Sequence, residues 1–334
     1  MHLMLNKTLP LCFLFIGTSI TLSASSWLMA WAGLEVNMMA FIPMILINNK
    51  LSNESALKYF FIQVSGSIII FLSTIIMMKN NNMNSMDISN LIMKSLIPLA
   101  LLLKLGAAPM HFWFPQVMEG LNWMSTMLLL TWQKIAPLFL LTTYNMPKIL
   151  IYTTVFLSAI TGAMGGLNQL LLRKILAYSS INHLAWMAIS SLISLSLLTT
   201  YFIIYSLITI TIILLLKSNN FIHLTQLMNN HYSMSIMSTS LFLNLLSLGG
   251  MPPFLGFFPK WIILNSISYN MMLISAILVM CSVLTLYFYM RISFNLLMMT
   301  PKLMWFNKKL VKFSPTMKMM SMLPITTLPL MMLT

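Results

Sequence analysis

Glu35, Lys104, Lys134 and Lys260 each lie inside a long apolar stretch of a chain that is 59% hydrophobic and only 7% charged. A charge at bilayer depth costs about 2.5–3.5 kcal/mol on insertion scales. One such residue near a span end can extend its side chain to the surface. Four near span centres point instead to a path for ions or protons. A lysine balanced between burial, which disfavours charge, and a nearby carboxylate, which favours it, can bind and release a proton when its partner moves. A static pair between Glu35 and one lysine, pinning two helices together, is the alternative; it leaves two lysines unexplained. His183, in Ser179-Ser180-Ile181-Asn182-His183, adds a group that titrates near neutral pH. It reads equally as a packed histidine bonded to a neighbouring carbonyl. His111 is expected to satisfy freed backbone groups, and Glu54 and Glu119, near span ends, to be solvated.

The elements that must position these residues are helices. Mean hydropathy is +0.90, and apolar runs of membrane-crossing length recur from end to end, without the period-two alternation of barrel strands. The expectation is an all-α polytopic membrane protein, one transmembrane domain over 1–334 with about eleven spans. They fall at 8–24, 26–47, 56–78, 91–118, 122–142, 149–169, 174–193, 196–216, 236–269, 272–292 and 315–333. Polar linkers run over 48–55, 79–90, 217–235 and the basic 291–314. The first apolar segment lacks an obvious small-residue cleavage site and is read as a retained helix.

Two spans are unusual in the same way. The fourth contains Leu105-Gly106-Ala107-Ala108-Pro109 followed by Pro115; the ninth contains Leu248-Gly249-Gly250-Met251-Pro252-Pro253 followed by Pro259. Both read LGxxP with a further proline beyond. Proline removes a backbone donor and clashes with the preceding turn, so each helix is expected to break there. At bilayer depth, freed backbone groups are tolerated only against protein or water. The two spans are an odd number apart and would cross in opposite directions, the pattern of inverted repeats with a transport site near the breaks. Two unrelated proline kinks are the plainer reading. Against it, Lys104 abuts the first break and Lys260 directly follows the second.

Several function classes find no support. Cys12 and Cys281 fall in separate apolar spans with no CxxC or Cys/His cluster, so neither a disulfide scaffold nor an iron–sulfur or zinc site is expected. No nucleotide-binding glycine loop occurs. The 35 methionines show no spacing with histidine that would hold haem or copper. Gly162 and Gly166 form a GxxxG that reads as close helix packing. With the spans above, Lys7, Lys50, Lys58, Arg173, Lys174, Lys217, Arg291, Lys302, Lys308, Lys309 and Lys312 share one side of the membrane. Lys79, Lys94 and Lys148 lie on the other, and Lys318 starts the last span. The asymmetry places the N-terminus on the cytoplasm-like side. The net charge of +14 then needs no nucleic-acid partner.

The segments Trp31-Ala32-Gly33-Leu34-Glu35-Val36-Asn37, Lys104-Leu105-Gly106-Ala107-Ala108-Pro109-Met110-His111-Phe112-Trp113-Phe114-Pro115 and Thr131-Trp132-Gln133-Lys134 carry a family resemblance. So do Leu172-Arg173-Lys174-Ile175-Leu176-Ala177-Tyr178 with Ser179–His183, and Gly249-Gly250-Met251-Pro252-Pro253-Phe254-Leu255-Gly256-Phe257-Phe258-Pro259-Lys260-Trp261. In collinear order over about 20–295, the chain resembles the antiporter-like membrane-arm subunits of mitochondrial NADH–ubiquinone oxidoreductase (respiratory complex I). These are related to Mrp-type cation/proton antiporters, and the methionine richness resembles the insect type. The resemblance implies a proton-translocating core subunit of the mitochondrial inner membrane, a translocase part of the enzyme. It maps the family's essential glutamate onto Glu35 and its lysines onto Lys104, Lys134 and Lys260. It further implies an N-terminus in the matrix and a C-terminus in the intermembrane space. No cofactor is expected on this chain; NADH, FMN, iron–sulfur clusters and ubiquinone belong to other subunits. Implied partners are the neighbouring antiporter-like chain 4, the small chain 4L, accessory subunits and lipids such as cardiolipin. A stand-alone Mrp-type antiporter or a non-pumping structural subunit remain the alternatives.

Overall fold

A computed structural model describes residues 2–46, 49–79, 88–143, 147–218, 220–229, 236–267 and 271–297. In chain order the helices are α1 (His2–Ser23), α2 (Trp27–Ile45), α3 (Lys50–Lys79), α4 (Ile88–Leu105), α5 (Trp113–Gly120), α6 (Trp123–Leu130) and α7 (Trp132–Thr143). There follow α8 (Lys148–Leu167), α9 (Leu172–Ile193), α10 (Leu195–Ser218), α11 (Leu224–Asn229), α12 (Ile236–Gly249), α13 (Phe257–Ser266) and α14 (Met272–Leu297). Helices are what the composition demands, because backbone groups in hydrocarbon must bond within their own segment. The hydroxyls inside the spans follow the same logic. Ser73 donates to the carbonyl of Ile70 at 2.7 Å and Ser180 to that of Ala177 at 2.8 Å, so neither exposes a bare polar group.

Among the described residues, six helices are long and apolar enough to cross a membrane, and Thr8–Ser23, Ser95–Leu105 and Thr239–Gly249 are shorter apolar ones. Ten of the expected spans fall on helices; the one at 315–333 lies outside the described residues. Helix α9 is the polar exception, carrying Arg173, Lys174, Asn182 and His183, and residues 179–190 are all buried. Its polar face is covered by protein, not lipid.

The chain splits into two compact units, residues 1–158 with 187–195, and residues 159–186 with 196–334. In the first, α1 packs on α2, α2 on α3, α3 on α4 and α5, and α4 on α7. The α1–α2 approach is close: a Cβ on Gly33 would lie 2.5 Å from the Thr21 methyl. In the second, α12 and α11 pack on α14. There Gly162 meets the backbone of Asn182 and Gly166 the ring of Phe288, so the GxxxG of α8 is a packing face.

Both expected breaks are present, and they share one geometry. Helix α4 ends where Gly106 adopts φ +75°; its N–H donates to Leu103 at 3.1 Å, and the N–H of Ala107 to Leu102 at 3.0 Å. Helix α12 ends where Gly250 adopts φ +82°, with N–H bonds from Gly250 to Ser247 at 3.0 Å and from Met251 to Leu246 at 3.4 Å. These are paired Schellman caps, which need a left-handed residue that glycine supplies without strain. Structurally, Gly106 therefore matches Gly250, not Gly249 as the LGxxP reading aligned them. In this register Pro109 matches Pro253, Pro115 matches Pro259, and the helix starts Trp113 and Phe257 coincide.

The linkers are shorter than hydropathy indicates. Helix α3 begins inside 48–55, α14 runs into 291–314, and 217–235 carries α11 and a bridge between Leu171 and His223. Hydropathy marks where lipid ends, whereas hydrogen bonding carries a helix further into polar sequence. The span expected at 122–142 is interrupted: α6 ends at Leu130, Thr131 caps it (φ −113°, ψ −73°), and α7 begins at Trp132.

Candidate functional site

In the first unit, the end of α4 and the start of α7 bring Lys104 and Lys134 to one cavity. The cavity has a volume of about 20 Å³ and is lined by both lysines with Asn37, Tyr59, Gln63 and Gln133. That is room for about one water. Lys104 is 7% exposed and Lys134 2%, so both are enclosed by protein. The Lys104 stem lies against Gly66 of α3, where an added Cβ would sit 3.1 Å from its Cγ. The carbonyl groups at the end of α4 are bonded: Gln63 Nε2 donates to Lys104 O and Trp113 Nε1 to Leu103 O, each at 3.2 Å. The Lys134 Nζ lies 5.4 Å from the centre of the Phe114 ring, a cation–π distance. Glu35 is half-buried on α2.

In the second unit, Lys260 occupies the first turn of α13, 5% exposed. Its Nζ donates to the carbonyl of Gly249 at 2.9 Å and lies 5.9 Å from the centre of the Trp186 ring. His183 on α9 is buried, with Nδ1 2.8 Å from the Tyr201 hydroxyl and its ring 5.0 Å from that of Tyr205. Pro259 and Ser247 join His183, Tyr201 and Tyr205 around a pocket of about 10 Å³. The His183 ring thus has a tyrosine hydroxyl within hydrogen-bond distance.

At the first break, His111 Nδ1 is 3.2 Å from the carbonyl of Pro109, the role expected for it. Glu54 and Glu119 are exposed. Cys12 and Cys281 are free thiols, and among the described residues no three His, Cys, Asp or Glu side chains gather. Two amides on this cavity were not among the expected site residues, Asn37, which is buried, and Gln133, which is half-buried. Gln133 Nε2 donates to Asn37 Oδ1 at 3.1 Å, and the Tyr59 hydroxyl donates to Gln133 Oε1 at 3.4 Å. The available signal was an amide in an apolar span, whose burial without a partner costs about 1–3 kcal/mol.

Residues 24–286 match the family of the NADH:quinone oxidoreductase/Mrp antiporter transmembrane segment. The chain belongs to this family. It is 42% identical over 319 residues to NADH-ubiquinone oxidoreductase chain 2 of Anopheles gambiae, covering 93% of each chain. It is 41% identical over 333 residues to the protein of that name from Didelphis virginiana, covering 94% of each. Among solved structures it is similar to a chain of respiratory complex I from Thermus thermophilus with bound aureothin. The TM-score there is 0.84 at 19% identity, over 96% of this chain and 77% of that one. A chain of the Mrp complex from Dietzia gives 0.77 at 16% identity, over 87% and 60%. At these identities the structures establish the fold, antiporter-like and polytopic. The family resemblance carried by the motif residues is matched by the relatives, insect ones included.

Proposed function

We propose that the chain is a proton-translocating core subunit of the membrane arm of NADH:ubiquinone oxidoreductase, multi-pass in the mitochondrial inner membrane. The observation that carries this is the enclosure of three lysines by protein at the depth of apolar spans, two of them on one polar cavity. Glu35 holds Lys104 protonated by its charge. Weakening that interaction releases a proton through water to Lys134, and Lys260 is the station from which it leaves. Moving each charge against the membrane potential requires about 2.3 kcal/mol per 100 mV. Electron transfer in other subunits supplies it, and those subunits hold the NADH, FMN, iron–sulfur and ubiquinone sites. This chain binds no redox group and contacts neighbouring membrane-arm chains of the chain 4 and 4L type, accessory subunits and lipids such as cardiolipin. The N-terminus faces the matrix and the C-terminus the intermembrane space, as the lysine and arginine asymmetry favours.

The test is the proton-to-electron ratio of assembled complex carrying Lys134→Met, which keeps length and packing but cannot take a proton. The ratio should fall. An unchanged ratio at unchanged quinone reduction would favour an inert scaffold. A chain that purifies alone and exchanges cations for protons would favour a free-standing antiporter.

A further inference from the structure

We propose that Gln133 is a positioning residue for proton transfer between Lys104 and Lys134, its amide bonded to Asn37 and Tyr59. The inference rests on the reading of the lysines above. Gln133 stands one residue before Lys134 and lines the cavity that both lysines line. A side-chain amide offers two N–H donors and two carbonyl lone pairs. One donor goes to Asn37 Oδ1 at 3.1 Å, and one lone pair is taken by the Tyr59 hydroxyl at 3.4 Å. In this arrangement the NH2 end faces Asn37 and the carbonyl end faces Tyr59. A reversed Gln133 amide would set its oxygen against Asn37 Oδ1 unless Asn37 reversed with it.

Its neighbours are also held. Asn37 and Tyr59 are each 2% exposed, on α2 and α3. The backbone at Gln133 is set by the interruption at Thr131, where the N–H of Lys134 donates to Thr131 O at 3.2 Å and the Thr131 hydroxyl to Met127 O at 2.7 Å. Three helices thus converge on one amide.

The cavity has room for about one water. Transfer through that water breaks an N–H bond of one ammonium and forms an O–H bond, then breaks an O–H bond and forms an N–H bond on the other lysine. No electrons are exchanged. The remaining donor and lone pair of Gln133 orient this water, so that its lone pair and its proton point to different lysines. Gln133 gains and loses no proton.

The experiment compares assembled complexes carrying Gln133→Met, Tyr59→Phe, Asn37→Leu and the Gln133→Met/Asn37→Leu pair, with Lys134→Met as reference. Coupled quinone reduction is measured per assembled complex in H2O and D2O. Gln133→Met should slow coupled turnover by up to about a hundredfold, the scale of a misplaced reacting geometry, and raise the solvent isotope effect. Tyr59→Phe should shift both in the same direction by less. The double variant should be no slower than Gln133→Met alone, as for residues acting as a unit. A merely structural amide would lower the amount of assembled complex and leave the isotope effect per complex unchanged, which would overturn the proposal. If Gln133→Met does not assemble, Tyr59→Phe decides, since it deletes one oxygen; wild-type turnover and isotope effect there would overturn it too. Loss of pumping in Lys134→Met with wild-type behaviour in Gln133→Met sinks this inference alone. Wild-type behaviour in Lys134→Met sinks the reading on which it rests.

Discussion

The Lys260 ammonium donates to the carbonyl of Gly249, the last residue of α12, at 2.9 Å, so a side chain from one half of a broken helix caps the other half. Helix C-termini carry unpaired carbonyls and partial negative charge, and a lysine there is favoured. Gly250 makes room for it. A Cβ at Gly250 would lie 2.8 Å from Lys260 Nζ, on a backbone with φ +82°.

Gly250→Ala should therefore displace Lys260 and strain the cap by about 1–2 kcal/mol. Gly249→Ala is the control, because its Cβ would meet the Leu286 Cγ at 3.3 Å, a tight contact with a side chain that can shift, and the Leu286 Cα at an ordinary 3.5 Å. Thermal unfolding and proton-to-electron ratio of the two assembled variants should separate them, with Gly250→Ala the worse on both. Equal behaviour would mean that the approach to Lys260 does not matter.

Glu35 and Lys104 should behave as one unit. In the proposed pairing, Glu35→Gln removes the charge that acts on Lys104, and Lys104→Met removes the group acted on. Coupled quinone reduction in the double variant should be close to that of the more damaged single variant. Fully additive losses would show two independent roles.

Loops 48–55 and 291–314 should label from the matrix side, and loop 79–90 from the intermembrane space. Single cysteines placed in each and reacted in mitoplasts with an impermeant reagent check this. Finding 48–55 and 79–90 on the same side would contradict the span between them.

The breaks were legible because glycine and proline write backbone geometry into the sequence, yet proline alone did not predict them. Helices α1, α2, α4 and α7 contain Pro10, Pro43, Pro98 and Pro137 and continue through them. The interruptions at Gly106 and Gly250 combine a left-handed glycine with a proline three residues on. Residue letters do not print φ, so the pair Gly249–Gly250 left the register ambiguous by one. The interruption at Thr131 has no glycine; its nearest mark is Pro137, whose missing donor frees the carbonyl of Gln133. The four charged residues stood out because charge at depth is expensive. The amide network did not, since Gln133 meets Asn37 and Tyr59 across 96 and 74 positions of sequence. Periodicity gives the buried face of a helix and not the identity of its neighbour.

The central claim is that this chain moves protons, and Lys260 tests it most directly. It sits at the second break, enclosed by protein, on a helix end that holds its ammonium in place. Methionine keeps the length and packing, so assembled complex should form. Quinone reductase activity and proton-to-electron ratio should then be measured together in assembled Lys260→Met complex. Both should fall, although the residue carries no redox group. Wild-type values for both would contradict the account and leave Lys260 as a helix cap in a scaffold.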